Sequence, residues 1–412
     1  MSFRKTTLAN GVRVLTERNS ESRAVVVGFW IQTGTRFETK EQEGISHLLE
    51  HMVFKGTEKY SAFEIAQSLE ARGGDINAFT GREHTCFHTT SLKEDLDLSI
   101  EVLSQLFAFA KFKEEDFIKE KRVILQEILM ASDDLEEYVF DLFFERAFPK
   151  HPLGYQILGS VDSIKALSLK DVQRYYDQHF VPENLIISVV GSVDHDRVVE
   201  SVERHLSGKK WGTHQVLAPP PAPKIKAFQD FFQKDCEQYH ILVSFPACRY
   251  TDPDRFNGFV LNTALGGGMT SRLYQKIREE KGLVYSVFSM LNTFTDTGLE
   301  TIYAGTEENH VSEVIDLINQ EVDRLADQGL SEQDIDLFKT QAKGQIIIGS
   351  EDIDSRMNSI AINEMVFGQY RAVDDVIQDL EKINRASLMT YIEEKLRKEQ
   401  RSLFVLGQKP II

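Results

Sequence analysis

SGKKWGTHQVLAPPPAPKIK, residues 207–226, decides how the rest of the chain is read. Four prolines, at 219, 220, 221 and 223, and almost no periodicity mark it as a linker near the middle of a 412-residue chain. That length is too great for one ordinary domain and sufficient for two hydrophobic cores. The same order of elements recurs on either side. Upstream, residues 24–33 (AVVVGFWIQT) read as a strand by their β-branched and aromatic content. Residues 44–55 follow as a helix, and a capping box at Ser61 and Glu64 opens another that Gly73-Gly74 stops. Residues 75–91 alternate loosely as one or two strands. Helices then cover 93–110, 114–130 and 134–147, breakers fill 148–159, and a helix at 169–179 leads to a buried strand at 184–191. Downstream, 240–245 (HILVSF) answers the first strand, 257–265 the first helix, 272–281 the capped helix and 283–305 the paired strands. Helices run from about 311 to 396, and 402–406 closes as a strand. The expectation is an α+β fold of two tandem, similar domains, 1–206 and 227–412, each an antiparallel-rich sheet packed with helices. At the start of the chain, Asn10-Gly11 reads as a two-residue hairpin turn.

Composition narrows the function classes. Hydrophobic content of 42% and charged content of 27% are those of an ordinary globular protein. A net charge of −17 argues against a nucleic-acid binder and is compatible with basic peptides as partners. Cys86, Cys236 and Cys248 lack C-x-x-C spacing and read as separate reduced thiols. No apolar run is long enough to span a membrane, and MSFRKTTLANGVRVLTE has no signal-peptide core, so a cytoplasmic location with no membrane partner is expected.

The chemistry is concentrated in 44–55 (GISHLLEHMVFK). Apolar residues recur at Ile45, Leu48, Leu49, Met52 and Val53, the period of a helix. His47, Glu50 and His51 then share a face. Two imidazoles one turn apart can ligate one metal ion, and the tetrahedral geometry of zinc accepts them. The carboxylate between them can take a proton from a water at the metal. A lone histidine on such a helix would more often be a core or surface residue. Two histidines and a glutamate on one face are costly to bury without a partner. The order H-x-x-E-H is the inverzincin motif.

HLLEH at 47–51, followed by the glutamate of ILQEI at 124–128, resembles the zinc peptidases of the pitrilysin and mitochondrial processing peptidase family. The resemblance extends to GGDINAFTGREHT at 73–85, HPLGYQILG at 151–159, LGGGMTSRLYQKIREEKGLVYSV at 265–287 and the position of the linker. In size the chain is similar to the half-length members. The resemblance implies a zinc-dependent endopeptidase with one Zn2+ per chain, held by His47, His51 and a glutamate about 76 residues beyond the second histidine, which here is Glu127. Glu50 would be the general base. Glu120, seven residues before Glu127 on the same helix face, would join the catalytic set by hydrogen-bonding a ligand histidine. Asn77, Ala78 and Phe79 match an edge strand to which substrate adds as an extra strand. Arg278 and Tyr285, seven residues apart, match a substrate-gripping pair. In double-length relatives that pair lies in the half without zinc, which implies for this chain a homodimer with each site completed by the partner.

Taken alone, Glu127 and Glu120 read as surface glutamates, and Arg278 and Tyr285 as a helix-end and a strand residue. His84 and His88 alternate on a strand and read as solvent-facing. Laying Gly44 on Phe256 puts Phe259, Asn262 and Thr263 where His47, Glu50 and His51 stand, so the second half keeps the frame without the ligands. Two other functions fit less well: a non-catalytic structural subunit of the same fold, and a metal hydrolase acting on a small molecule.

Overall fold

The computed structural model describes residues 2–211 and 218–410; residues 212–217 of the expected linker lie outside them. The first half runs β1 (Ser2–Thr7), β2 (Arg13–Arg18), β3 (Ala24–Ile31), α1 (Ile45–Val53), α2 (Ala62–Glu70), β4 (Asp75–Thr80) and β5 (Thr85–Leu92). It continues through α3 (Leu96–Ala108), α4 (Glu114–Asp133), α5 (Leu135–Ala147), α6 (Val161–Ala166), α7 (Leu169–His179), β6 (Leu185–Gly191) and α8 (His195–Leu206). The second runs β7 (Gln229–Gln233), β8 (Tyr239–Pro246), α9 (Arg255–Gly266), a π-helical turn at Tyr274–Glu279, β9 (Val284–Thr293) and β10 (Gly298–Thr306). Then come α10 (Val311–Gln328), α11 (Glu332–Glu351), α12 (Ile353–Phe367), α13 (Val373–Glu381), α14 (Arg385–Lys395) and β11 (Ser402–Gly407). None of the helices among the described residues is long and apolar enough to cross a membrane.

The two sheets are built alike. One is ordered β1-β2-β6-β3-β5-β4 and the other β7-β11-β8-β10-β9. In the first, β2 pairs parallel with β6, and β3 antiparallel with both β6 and β5. In the second, β7 pairs parallel with β11, and β8 antiparallel with both β11 and β10. The duplication is thus explicit in strand order and sense, with β4 and β9 as matching edges. Only β1 lacks a counterpart among the described residues.

The compact units do not follow a single cut of the chain. One gathers Met1–Met130, His151–Pro220 and Gly349–Tyr370; the other gathers Ala131–Lys150, Pro221–Ile348 and Arg371–Ile412. Helix α5, expected in the first domain, belongs to the second unit, and α12, expected in the second domain, belongs to the first. Side-chain packing explains both. Phe143 of α5 stacks near Phe228 and Phe404 of the second unit. Met357, Ile360 and Ala361 of α12 pack with Leu15, Val26, Trp30 and Val190 of the first sheet. At Gly28 a Cβ would stand 2.3 Å from Met357 Sδ, so glycine lets α12 lie close against β3. The opposite face of β3, through Val25, Val27, Phe29 and Ile31, packs on α1, α3, α7 and α8. The first sheet is therefore the middle of three layers.

Smaller expectations are corrected too. The Asn10-Gly11 turn is not two residues long. Gly11 N–H donates to Leu8 O and Leu8 N–H to Val12 O, a turn closed by Gly11 at φ +98. The expected helix at 272–281 is a π-helical turn in which Glu280 N–H reaches Gln275 O.

Candidate metal centre

Helix α1 carries the motif, and its start is fastened before any ligand is placed. Gly44 adopts φ +89, and a Cβ there would meet Gly159 Cα and Leu158 O at 2.8 Å. The buried Glu38 carboxylate accepts from Gly44 N–H at 2.9 Å and Ser46 N–H at 2.8 Å, satisfying donors that the helix start leaves free. Burial pushes Glu38 up to about 8 against those two bonds. Ser46 Oγ also meets Tyr175 OH of α7 at 2.9 Å. The apolar side of α1, Ile45, Leu48, Leu49, Met52 and Val53, is buried in the core. The polar side therefore has one direction left to face.

His47, His51 and Glu127 face it together. They form the group of His, Cys, Asp and Glu side chains among the described residues able to hold a metal ion, with donor atoms all within 4.8 Å of one another. Glu127 Oε2 stands 4.0 Å from His47 Nε2 and 3.6 Å from His51 Nε2. These gaps are too long for good hydrogen bonds. They are near the spacing of tetrahedral ligands, roughly 3.3 Å for donors about 2.05 Å from zinc. Glu127 Oε2 is buried with no hydrogen-bond partner, and so is His47 Nδ1. Unpaired buried atoms of this kind are costly in a finished interior. A cation among the three donors accounts for the one on Glu127, so the residues fit a metal ion. Burial, with a smaller push from the His51 ring, takes His47 down to about 4, so the ring is neutral, as a ligand must be.

Glu120 lies two turns before Glu127 on α4 and is buried. Its Oε2 is 3.1 Å from His51 Nδ1, which fixes that ring with Nε2 toward Glu127. Its other oxygen, Oε1, meets Lys55 Nζ at 2.9 Å. Lys55 lies just past the end of α1, beyond the helical period that marks His47, Glu50 and His51 in the sequence. Glu50 lies on the same side of α1 and accepts from Thr80 Oγ1 at 2.5 Å. Burial raises its pKa; the Thr80 hydroxyl and His51 pull it back, and Glu127 pushes it up. Thr80 was also passed over, though it follows Asn77, Ala78 and Phe79 directly.

Asn77, Ala78 and Phe79 lie on β4, which pairs only with β5 and is the open edge of its sheet. Ala78 N–H is held by Asn77 Oδ1 at 2.8 Å. His84 is not solvent-facing as expected. It lies 5.3 Å from the Trp30 ring, and burial lowers it to about 4. His88 is also largely buried, with Nδ1 unpaired. Neither joins the three-donor group. Arg278 and Tyr285 lie in the second unit, stacked with 5.1 Å from guanidinium to ring, and Tyr285 is 79% exposed.

The chain as a whole resembles known proteins. The profile of the insulinase family (peptidase family M16) matches residues 13–161, and that of the peptidase M16 inactive domain matches 166–342. An uncharacterized zinc protease of Streptomyces coelicolor is 36% identical over 98% of this chain and 90% of its own length. Another from Bacillus subtilis is 34% identical over 93% of each. Among solved structures, a protease from Helicobacter pylori superimposes with a TM-score of 0.89 at 23% identity, covering 98% of this chain and 99% of that one. A Pseudomonas fluorescens structure described as a peptidase M16 inactive domain gives 0.92 at 16% identity, over 100% of this chain and 98% of that one. The solved structures share the fold of two similar domains, and the sequence relatives carry the family: this chain, alike to them over nearly its whole length, belongs to the insulinase family, peptidase family M16.

Proposed function

We propose that the protein is a zinc-dependent endopeptidase that cuts extended peptides and unfolded segments, with His47, His51 and Glu127 holding one zinc ion per chain. The observation supporting this most directly is three donor atoms within 4.8 Å of one another beside a carboxylate, Glu50, that is not among them. The zinc-protease names of the relatives point the same way. When bound, zinc supplies a Lewis acid that polarises a carbonyl and acidifies a water. The chain's own residues do the rest. Glu50 takes the proton of the attacking water and hands it to the leaving amine. Glu120 accepts the Nδ1 proton of His51 and holds that ring in register. The edge strand β4 receives the substrate backbone through main-chain bonds, with Asn77, Ala78 and Phe79 as the pairing segment, so any extended peptide can bind. A surface of net charge −17 favours basic segments. Arg278 and Tyr285 grip substrate from a second copy of the chain in a two-fold homodimer.

The test is a metal assay joined to a cleavage assay. The purified protein carries about one zinc per chain and cuts unstructured peptides, and a chelator abolishes cutting. His47→Ala loses both zinc and activity. Glu50→Gln keeps zinc and loses roughly 10²-fold or more in turnover. A zinc-loaded wild type that cuts no member of a mixed peptide library, with cuts mapped by mass spectrometry, refutes the reading.

A further inference from the structure

We propose that Thr80 is the positioning residue of the general base: its hydroxyl holds one oxygen of Glu50 and thereby aims the other at the attacking water, from the strand that receives the peptide. The inference rests on the peptidase reading and assigns a part of that site that the sequence did not reveal.

Along β4, exposure alternates from Asp75 to Thr80. Ile76 and Ala78 are half-buried and pack on the core that holds α1, and Thr80 is in phase with them. Its Oγ1 donates to Glu50 Oε2 at 2.5 Å, the one hydrogen bond that this carboxylate makes among the described residues. A glutamate has three side-chain torsions, of which the terminal one is broad. A single donor at one oxygen removes that last freedom and leaves the other oxygen clear. A threonine hydroxyl suits the task because its own β-branch restricts it on a strand. Because Thr80 ends β4, the element that carries the base's anchor is the one to which substrate adds.

The second unit supplies an independent observation. On α9, Asn262 is the residue that the sequence overlay of the two halves sets against Glu50. On the matching edge strand β9, Ser289 Oγ is 2.8 Å from Asn262 Oδ1 and 3.0 Å from Asn262 O. A hydroxyl of the edge strand thus also reaches a polar side chain of the neighbouring helix in the second unit, there from mid-strand rather than from the strand's end.

Thr80→Val keeps the shape and removes the hydroxyl. We expect kcat to fall roughly 10- to 100-fold, as for loss of a hydrogen bond to a charged group. KM stays within about 3-fold and zinc stays at one per chain. Thr80→Ser restores kcat to within about 3-fold of wild type. In a Glu50→Gln background, Thr80→Val costs less than about 2-fold more, because the acceptor it aims no longer acts as a base. Thr80→Ala serves as a second hydroxyl-free variant if valine does not fold. A crystal structure of the folded variant gives a readout free of activity: Glu50 leaves its present rotamer or takes several. Unchanged kcat in the valine variant, equal losses for serine and valine, or a Glu50 that stays in place without the hydroxyl each overturns the proposal. A zinc-loaded wild type without activity refutes the peptidase reading, and the Glu50 rotamer still decides the role of Thr80.

Discussion

Arg356→Met tests whether α12, a helix late in the chain, is an integral part of the first unit. Arg356 is 5% exposed and makes a bidentate pair with Glu17 of β2, which is 0% exposed. Its Nε donates to Oε1 at 2.8 Å and Nη2 to Oε2 at 2.5 Å. Among the described residues, the only other donor to that carboxylate is Tyr370 OH, at 3.0 Å from Oε2. Methionine fills most of the arginine stem and leaves Glu17 a buried charge with one neutral donor. Breaking a buried pair from one side costs about 3–5 kcal/mol. For a unit of some 200 residues, roughly 2–4 °C of Tm per kcal/mol, that is a fall of about 6–20 °C. Replacing both charges, Glu17→Leu with Arg356→Met, removes the stranded carboxylate and should return to within about 1 kcal/mol of wild type. The assay is urea and thermal unfolding followed by tryptophan fluorescence, because both tryptophans, Trp30 and Trp211, belong to the first unit. Trp30 packs in the same cluster as Met357 of α12. A loss below about 1 kcal/mol for Arg356→Met, or a double variant as unstable as the single, would show that α12 is not held as argued.

Three further outcomes are expected. Lys55→Met should weaken zinc binding roughly 10-fold, because it frees the oxygen of Glu120 opposite His51, and Lys55→Arg should not; competition against a chromogenic chelator reads this, and equal affinities sink it. Glu38, with its carboxyl raised to about 8 from 4.5 by burial, keeps a proton that the unfolded chain has released. Its stabilising contribution is therefore complete below about pH 4.5 and lost as pH rises toward 8. The stability of wild type relative to Glu38→Gln should fall by roughly 1.4 kcal/mol per pH unit between pH 5 and 7.5, and a pH-independent difference contradicts it. Mixing inactive Glu50→Gln with an inactive Arg278→Ala, Tyr285→Ala double variant should restore part of the activity in exchanged dimers. A monomeric active species, or exchange confirmed by mass without activity, excludes completion by a partner.

Local chemistry made much of this legible in advance. The period of Ile45, Leu48, Leu49, Met52 and Val53 placed α1, and the structure buries those five residues. The Ser61–Glu64 capping box is present, with Ser61 N–H on Glu64 Oε2 at 2.8 Å. Features set by tertiary context were not legible. Helices α5 and α12 have only weakly segregated apolar faces, and nothing in either says which sheet it will meet; complementary groups such as Gly28 and Glu17 decide that for α12. Strand β7, QDFFQ, has two apolar residues after a proline-rich stretch and finds its partner in β11, over 160 residues later. In the site, Lys55 and Thr80 carry no signal in isolation, because each matters through one acceptor oxygen that the fold delivers.

The second unit shows what the site costs the first. In the sequence overlay of the two halves, Phe259, Asn262 and Thr263 of α9 fall against His47, Glu50 and His51. Phe259 joins Tyr250, Phe256 and Met290 around a cavity of about 490 Å³. Thr263 Oγ1 turns back on Phe259 O at 2.9 Å, and Ser289 Oγ meets Asn262 Oδ1 at 2.8 Å. With the same strand order and no ligands to hold, α9 has settled into aromatic packing and satisfied hydrogen bonds, as stability alone favours. The first unit has not. It leaves Glu127 Oε2 buried and unpaired, at about 1–3 kcal/mol for such a group. The first copy of the scaffold thus keeps a buried acceptor without a protein partner, and a cation among His47, His51 and Glu127 is the partner that makes that oxygen intelligible.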